Sequence, residues 1–143
     1  MYKKLLFCTD GSSNSLCAQR EALKLAKECS SELYVMMVVD LTDEFEALAP
    51  GLTEKLEIRA REIVDGVVAA ASKEGIKANG IVKEGESNKK ILEVAKEKGV
   101  DAIILGTHGR KGFMNTVMGS VTRRVIAEAF VPVIVIHSKY CAL

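Results

Sequence analysis

Leu105 to Val121 reads LGTHGRKGFMNTVMGSV, and this stretch decides how the rest of the chain is to be read. It follows directly on the apolar run Ala102-Ile103-Ile104-Leu105 and leads into a segment with helical periodicity. Glycines at the carboxyl end of a strand let a ligand approach the backbone, because no Cβ intervenes. A helix that begins at Gly119 or Ser120 offers unpaired N–H groups and a positive dipole end, a combination that suits phosphate. Gly106, Gly109 and Gly119 with Ser120 therefore read as a phosphate cradle. The pattern is neither of two familiar phosphate loops: G-x-x-x-x-G-K-[S/T] and G-x-G-x-x-G are both absent.

Working outward, the same alternation recurs along the chain. Lys4–Thr9, Glu32–Val39, Ile76–Lys83, Val100–Leu105 and Val131–Ile136 are short apolar runs expected to be strands. Between them lie amphipathic segments: one ending near Cys29, one over about 53–73, one from Ser87 to Gly99, and one over Val121–Phe130. Asp10-Gly11-Ser12-Ser13 is a turn and helix-start signal, and Gly75 is placed to end the second helix. Leu41 to Leu52, with Pro50-Gly51, is expected to be a loop. Strands alternating with helices of this length predict an α/β fold of the doubly wound, Rossmann-like kind: a three-layer sandwich with a parallel sheet covered on both faces. At 143 residues the chain is expected to form a single domain over 1–143, its tail 137–143 flexible.

Composition narrows the function classes. With 48% hydrophobic and 27% charged residues the chain is ordinary for a soluble globular protein. A net charge of +1 leaves no basic footprint for nucleic acid, and no run approaches the about 18 apolar residues that would span a bilayer. Met1-Tyr2-Lys3-Lys4 runs straight into a strand pattern without a cleavage region, so a cytoplasmic protein is expected. Cys8, Cys17, Cys29 and Cys141 form no C-x-x-C pair and no zinc grouping with His108 or His137, and are expected to be reduced, structural thiols, Cys141 exposed near the terminus.

The complete spacing, G-x-x-G-x9-G-S from Gly106 through Gly109 to Gly119-Ser120, resembles the ATP-binding motif of the universal stress protein family, and the resemblance runs over nearly the whole chain. It implies a five-stranded parallel sheet of order 3-2-1-4-5, a point that periodicity alone does not give. That order puts the topological switch between the first and fourth strands, where ligands of open α/β sheets bind. By the same resemblance Cys8, Thr9 and Asp10 serve the adenosine side, Asp10 reaching ribose, adenine or a metal through water. Val38 matches the position whose backbone meets the adenine edge. Leu105, Gly106, Thr107, His108, Gly109, Gly119, Ser120 and Val121 match the phosphate side, with Arg110 and Lys111 near the terminal phosphates. ATP, or ADP or AMP, is the implied ligand, magnesium arriving on its phosphates and not on a protein metal site.

By the same resemblance His108 is read as a positioning residue and not a general base, and no G-x-S-x-G elbow completes a hydrolase triad. The implied activity is nucleotide-responsive signalling with no catalytic residue. The rival is a weak ATPase, for which only Asp10 offers itself unless Glu44 or Glu46 closes in. One departure from the family is Gly85-Glu86-Ser87, where relatives often carry Gly-x-Pro. Val131 to Ile136 carries no charge and lies at the sheet edge in the implied order, which favours a homodimer through this strand.

Overall fold

The structure, a computed structural model, describes residues 1–40, 48–107, 118–138 and 141. Five strands form one parallel sheet, β1 (Lys4–Cys8), β2 (Glu32–Val39), β3 (Ala78–Glu84), β4 (Ala102–Gly106) and β5 (Val133–Ile136). Their spatial order is β3-β2-β1-β4-β5, the order that the family resemblance implies. Four described helices connect them: α1 (Leu16–Cys29), preceded by a 3-10 turn over Ser13–Ser15, α2 (Leu52–Lys73), α3 (Ser87–Lys98) and α4 (Ser120–Glu128).

Side chains alternate across a strand, and that alternation divides the core in two. Leu5, Phe7, Leu33, Val35, Met37 and Ile104 point to one face and pack against α1 and α2. The helices meet them with small residues, Ala18, Ala22 and Ala26 from α1 and Ala60, Val64 and Ala71 from α2. Leu6, Tyr34, Met36, Ile103 and Leu105 point to the other face, against Ile91, Val94 and Ala95 of α3 and Val125 of α4. Central strands buried on both sides explain why β1, β2 and β4 read as continuous apolar runs and not as alternating ones.

The element boundaries differ from the sequence expectation at several ends. β3 begins at Ala78 and not Ile76, because Ile76 turns its N–H back to Ala71 O at 3.0 Å to close α2. Val100 likewise bonds to Ala95 O at 3.1 Å, so β4 starts only at Ala102. Pro132 has no N–H to give; it accepts from Ile103 N at 3.0 Å, and β5 proper begins at Val133. α4 stops at Glu128, leaving Phe130 outside the helix and 78% exposed.

The larger correction concerns the thiols. Cys17 and Cys141 form a disulfide with Cα atoms 5.6 Å apart, so neither is a free structural thiol, and Cys141 is half-buried where exposure was expected. Cys8 and Cys29 remain unpaired thiols. Cys8 lies against the second core cluster, and burial there pushes its thiol pKa well up, which keeps it protonated at neutral pH. Among the described residues no helix is long and apolar enough to cross a membrane.

Candidate functional site

The crevice follows from where the strands stop pairing. β1 pairs with β4 only as far as Phe7 and Ile104, and with β2 as far as Cys8 and Met36. Beyond that point β4 continues along β5 to Gly106 and Ile136, and Thr107 N donates to Ile136 O at 3.1 Å. The chain after β1 therefore parts from β4 at the carboxyl ends of the strands. Thr9-Asp10 lies on one side of this opening and Gly106-Thr107 on the other.

The first wall is held by a local network. Thr9 is buried; its N–H donates to Met36 O at 2.9 Å, and its hydroxyl meets Ser15 Oγ at 3.0 Å. Gly11, at φ +77, turns its N–H back to Thr9 Oγ1 at 3.0 Å. Asp10 Oδ1 accepts from both the N–H and the hydroxyl of Ser12, at 2.9 and 2.6 Å. One oxygen of Asp10 thus fixes the start of the helical segment, which accounts for the turn signal in the sequence. Ser12 and Ser15 were not singled out as site residues from the sequence. The signal was there, two serines three apart behind an Asp-Gly, but it reads equally as a plain helix start.

β2 outruns β1, and this gives Val38 its position. In a parallel ladder alternate residues bond to the same neighbour. Met36 bonds toward β1 through Thr9 N, while Val39 O bonds on the other side, accepting from Gly85 N at 3.0 Å. Val38 shares the parity of Met36, so its N–H and C=O turn toward the β1 side, past the last β1 residue paired with β2. Its side chain is half-buried against the second core cluster.

The opposite wall is the start of α4. Gly119 is its N-cap residue at φ −70 and ψ 158, a conformation open to any residue. Backbone geometry therefore does not demand glycine here. Gly119 brings no side-chain cap of its own, and no acidic residue lies in the first turn of α4. Gly119 N–H is already used, donating to Thr107 O at 2.6 Å, so Gly119 contributes room and not a donor. The first intrahelical bond is Arg123 N to Gly119 O at 3.1 Å, which leaves the N–H groups of Ser120, Val121 and Thr122 without an acceptor among the described residues. Buried Thr122 donates its hydroxyl to Gly106 O at 2.8 Å and pins this helix start to the end of β4. Thr122 also escaped the sequence reading, because a threonine in a helix carries no signal until its partner strand is known.

The remaining site residues separate by role. Leu105 is a buried core residue, Thr107 is buried, Gly106 is half-buried, and Val121 packs against the second core cluster. Ser120 is exposed at the mouth of the helix. His108, Gly109, Arg110 and Lys111 lie outside the described residues, as do Glu44 and Glu46.

The cavities do not simply mark this place. A cavity of about 200 Å³ abuts the first wall, lined by Thr9, Gly11, Ser12 and Ser15 with Ile63 and Val67 of α2. A larger one, about 700 Å³, lies at the opposite, amino-terminal end of the sheet among Lys3, Lys4, Lys27 and Lys77. There the C-termini of α1 and α2 converge, and Lys27 and Lys77 are already paired with Glu74 and Glu32 at 2.8 and 2.9 Å. Size alone favours the larger cavity. The carboxyl-end crevice is the better site, because it combines an open helix N-terminus with a gap between parallel strands.

Comparison with known proteins gives one consistent answer. Residues 1–137 match the model of the universal stress protein family. A universal stress protein of Methanocaldococcus jannaschii, MJ0531, is 36% identical over 95% of this chain and 82% of its own length. The structure of MJ0577, from the same organism, superposes with a TM-score of 0.81 at 30% identity, covering 96% of each chain. The universal stress protein from Archaeoglobus fulgidus in complex with dAMP superposes at a TM-score of 0.68 and 26% identity, covering 94% of this chain and 98% of that one.

Proposed function

The chain belongs to the universal stress protein family, and from that premise we propose that it binds an adenine nucleotide, ATP or its di- or monophosphate, at the carboxyl-end crevice as a cytoplasmic, nucleotide-responsive signalling module. The observation that carries the reading is the open start of α4. Gly119 sits there at an ordinary φ without a side chain, and the N–H groups of Ser120, Val121 and Thr122 follow it. Both features suit a phosphate oxygen, and the dAMP complex of a relative supports the adenine part.

On this reading the phosphates meet the first turn of α4, together with His108, Gly109, Arg110 and Lys111 of the sequence motif. The Val38 backbone meets the adenine edge, and Cys8, Thr9 and Asp10 border the nucleoside. Magnesium comes bound to the phosphates and spreads their charge. Ground-state binding of this kind does not by itself lower a barrier, so hydrolysis by the protein alone is expected to be very slow.

Gly119→Val tests the reading. A branched side chain fills the space before the helix without straining φ, so the fold survives while nucleotide binding is lost. Isothermal calorimetry is expected to show about micromolar binding, roughly −8 kcal/mol, for the unaltered chain and none for the variant. Unchanged affinity in a folded Gly119→Val protein would remove the phosphate role from this helix.

The reading includes a homodimer through β5. The two sheet edges differ: β3 carries Lys83 and Glu84, whereas Val133–Ile136 of β5 carries no charge. Charged edges resist pairing and uncharged ones invite it. Light scattering is expected to give twice the monomer mass for the unaltered chain and a shift toward monomer for Val135→Lys.

A further inference from the structure

Cys17 and Cys141 come from opposite ends of the chain, 124 residues apart, and meet with their Cα atoms 5.6 Å apart. Their Cα separation lies within the range that a disulfide spans without moving the backbone. Cys17 is the second residue of α1, in its first turn, and is only 5% exposed. α1 runs on directly from the 3-10 turn Ser13–Ser15, whose start Asp10 Oδ1 fixes through Ser12 N–H at 2.9 Å. Disulfides of this kind open by attack of an external thiolate on the more accessible sulfur. Cys141 is the more accessible partner, half-buried where Cys17 is enclosed. Among the described residues, Cys141 is joined to α1 by this covalent bond. The other two thiols lack these features: Cys8 is kept protonated by burial, and Cys29 lies at the far end of α1 with no partner thiol.

We propose that Cys17 and Cys141 form a reversible redox clasp, which holds the C-terminal segment on α1 when oxidised and releases it on reduction by a dithiol. One thiolate of the reductant attacks Cys141 Sγ, the S–S bond breaks, and Cys17 leaves as a thiolate. The reductant's second thiolate then attacks its own sulfur in the mixed disulfide and expels Cys141. The two protein thiolates take up protons. The protein disulfide has gained two electrons and two protons, and the reductant has become a cyclic disulfide; closing by an oxidised dithiol is the reverse.

The clasp's anchor lies two residues beyond Ser15, whose hydroxyl meets Thr9 at 3.0 Å in the wall of the crevice. Any effect of the clasp on nucleotide affinity rests on the function proposed above. Its opening does not, and the test uses the opening.

The full-length protein is equilibrated natively with reduced or oxidised dithiothreitol, quenched in acid, unfolded and alkylated for intact mass. Two alkylated thiols are expected after oxidation, Cys8 and Cys29, and four after reduction. In parallel, carboxypeptidase is applied to each native form. Trimming past residue 141 is expected to be about tenfold faster in the reduced form, its rate following the population of released tail. Cys141→Ser and Cys17→Ser are expected to be trimmed at the fast rate under both conditions. Four reactive thiols after oxidation would overturn the proposal, because the pair would not form. So would a bond that resists native reduction, or equal trimming of the two forms. The thiol count and the trimming of the unaltered protein decide the matter even where a variant fails to fold.

Discussion

A methyl group added at Gly80 would lie 2.5 Å from Val64 Cγ1 and 3.2 Å from the Arg61 guanidinium. Val64 is fully buried on α2 and has nowhere to retreat, so β3 and α2 can approach as they do only through a residue without Cβ. Gly80→Ala is expected to cost about 1–3 kcal/mol, the usual range for overpacking, read as a lower urea midpoint at unchanged slope. Nothing in the sequence marks this glycine, which sits unannounced in a strand pattern. Gly119 is the opposite case, since its place in a spaced motif announces it, while the structure adds that its φ of −70 does not require glycine. Thr122 and Ser15 show a third kind of residue. Their bonds to Gly106 O and Thr9 Oγ1 position the two walls of the crevice; Thr122 joins two elements whose neighbourhood a linear reading cannot supply, whereas Ser15 acts within one local turn.

Elements were legible where the apolar period was strong, and blurred where capping decided the end. β1 and β2 fall within one residue of expectation, but β3 and β4 start two residues late because helix-closing bonds claim the residues before them. The start of β2 also carries a pH response. Glu32 is held by the Tyr34 hydroxyl and by Lys77, with Lys77 Nζ at 2.9 Å, and these partners lower its pKa below the ordinary 4.5. A lowered folded-state pKa contributes stability that is present above 4.5 and disappears as pH falls through the folded value. Glu32→Gln is therefore expected to be less stable than the unaltered protein at neutral pH, and to converge with it in acid. Urea melts of both proteins across the range below pH 5 check the sign. α3 shows the same economy in another form: its start is capped from a different element, Asp40 Oδ2 accepting from the N–H and hydroxyl of Ser87 at 3.1 and 3.2 Å. That contact gives the first residue of α3 an acceptor for its N–H from outside the helix.

At the scale of the whole molecule, alternating strands and helices gave the three layers, but strand order needed the family resemblance. Period and spacing say which segments are strands and not which lie side by side. The disulfide was beyond both, because its two cysteines share no motif and only the folded chain brings α1 to the segment after β5. Closing so long a loop restricts the unfolded chain severely. Cys141→Ser is expected to lower the unfolding free energy of the oxidised protein by about 2–5 kcal/mol and to leave that of the reduced protein unchanged. Chemical denaturation of both redox forms of each protein makes the comparison. A mechanical consequence follows as well. Held by its two ends and pulled, the oxidised chain presents to the load only the stretches before Cys17 and after Cys141, while the 124 residue steps from one to the other are bypassed by the bond, about 430 Å of tether at about 3.5 Å per step. The same polypeptide is thus a short, stiff link in one redox state and a long, extensible one in the other.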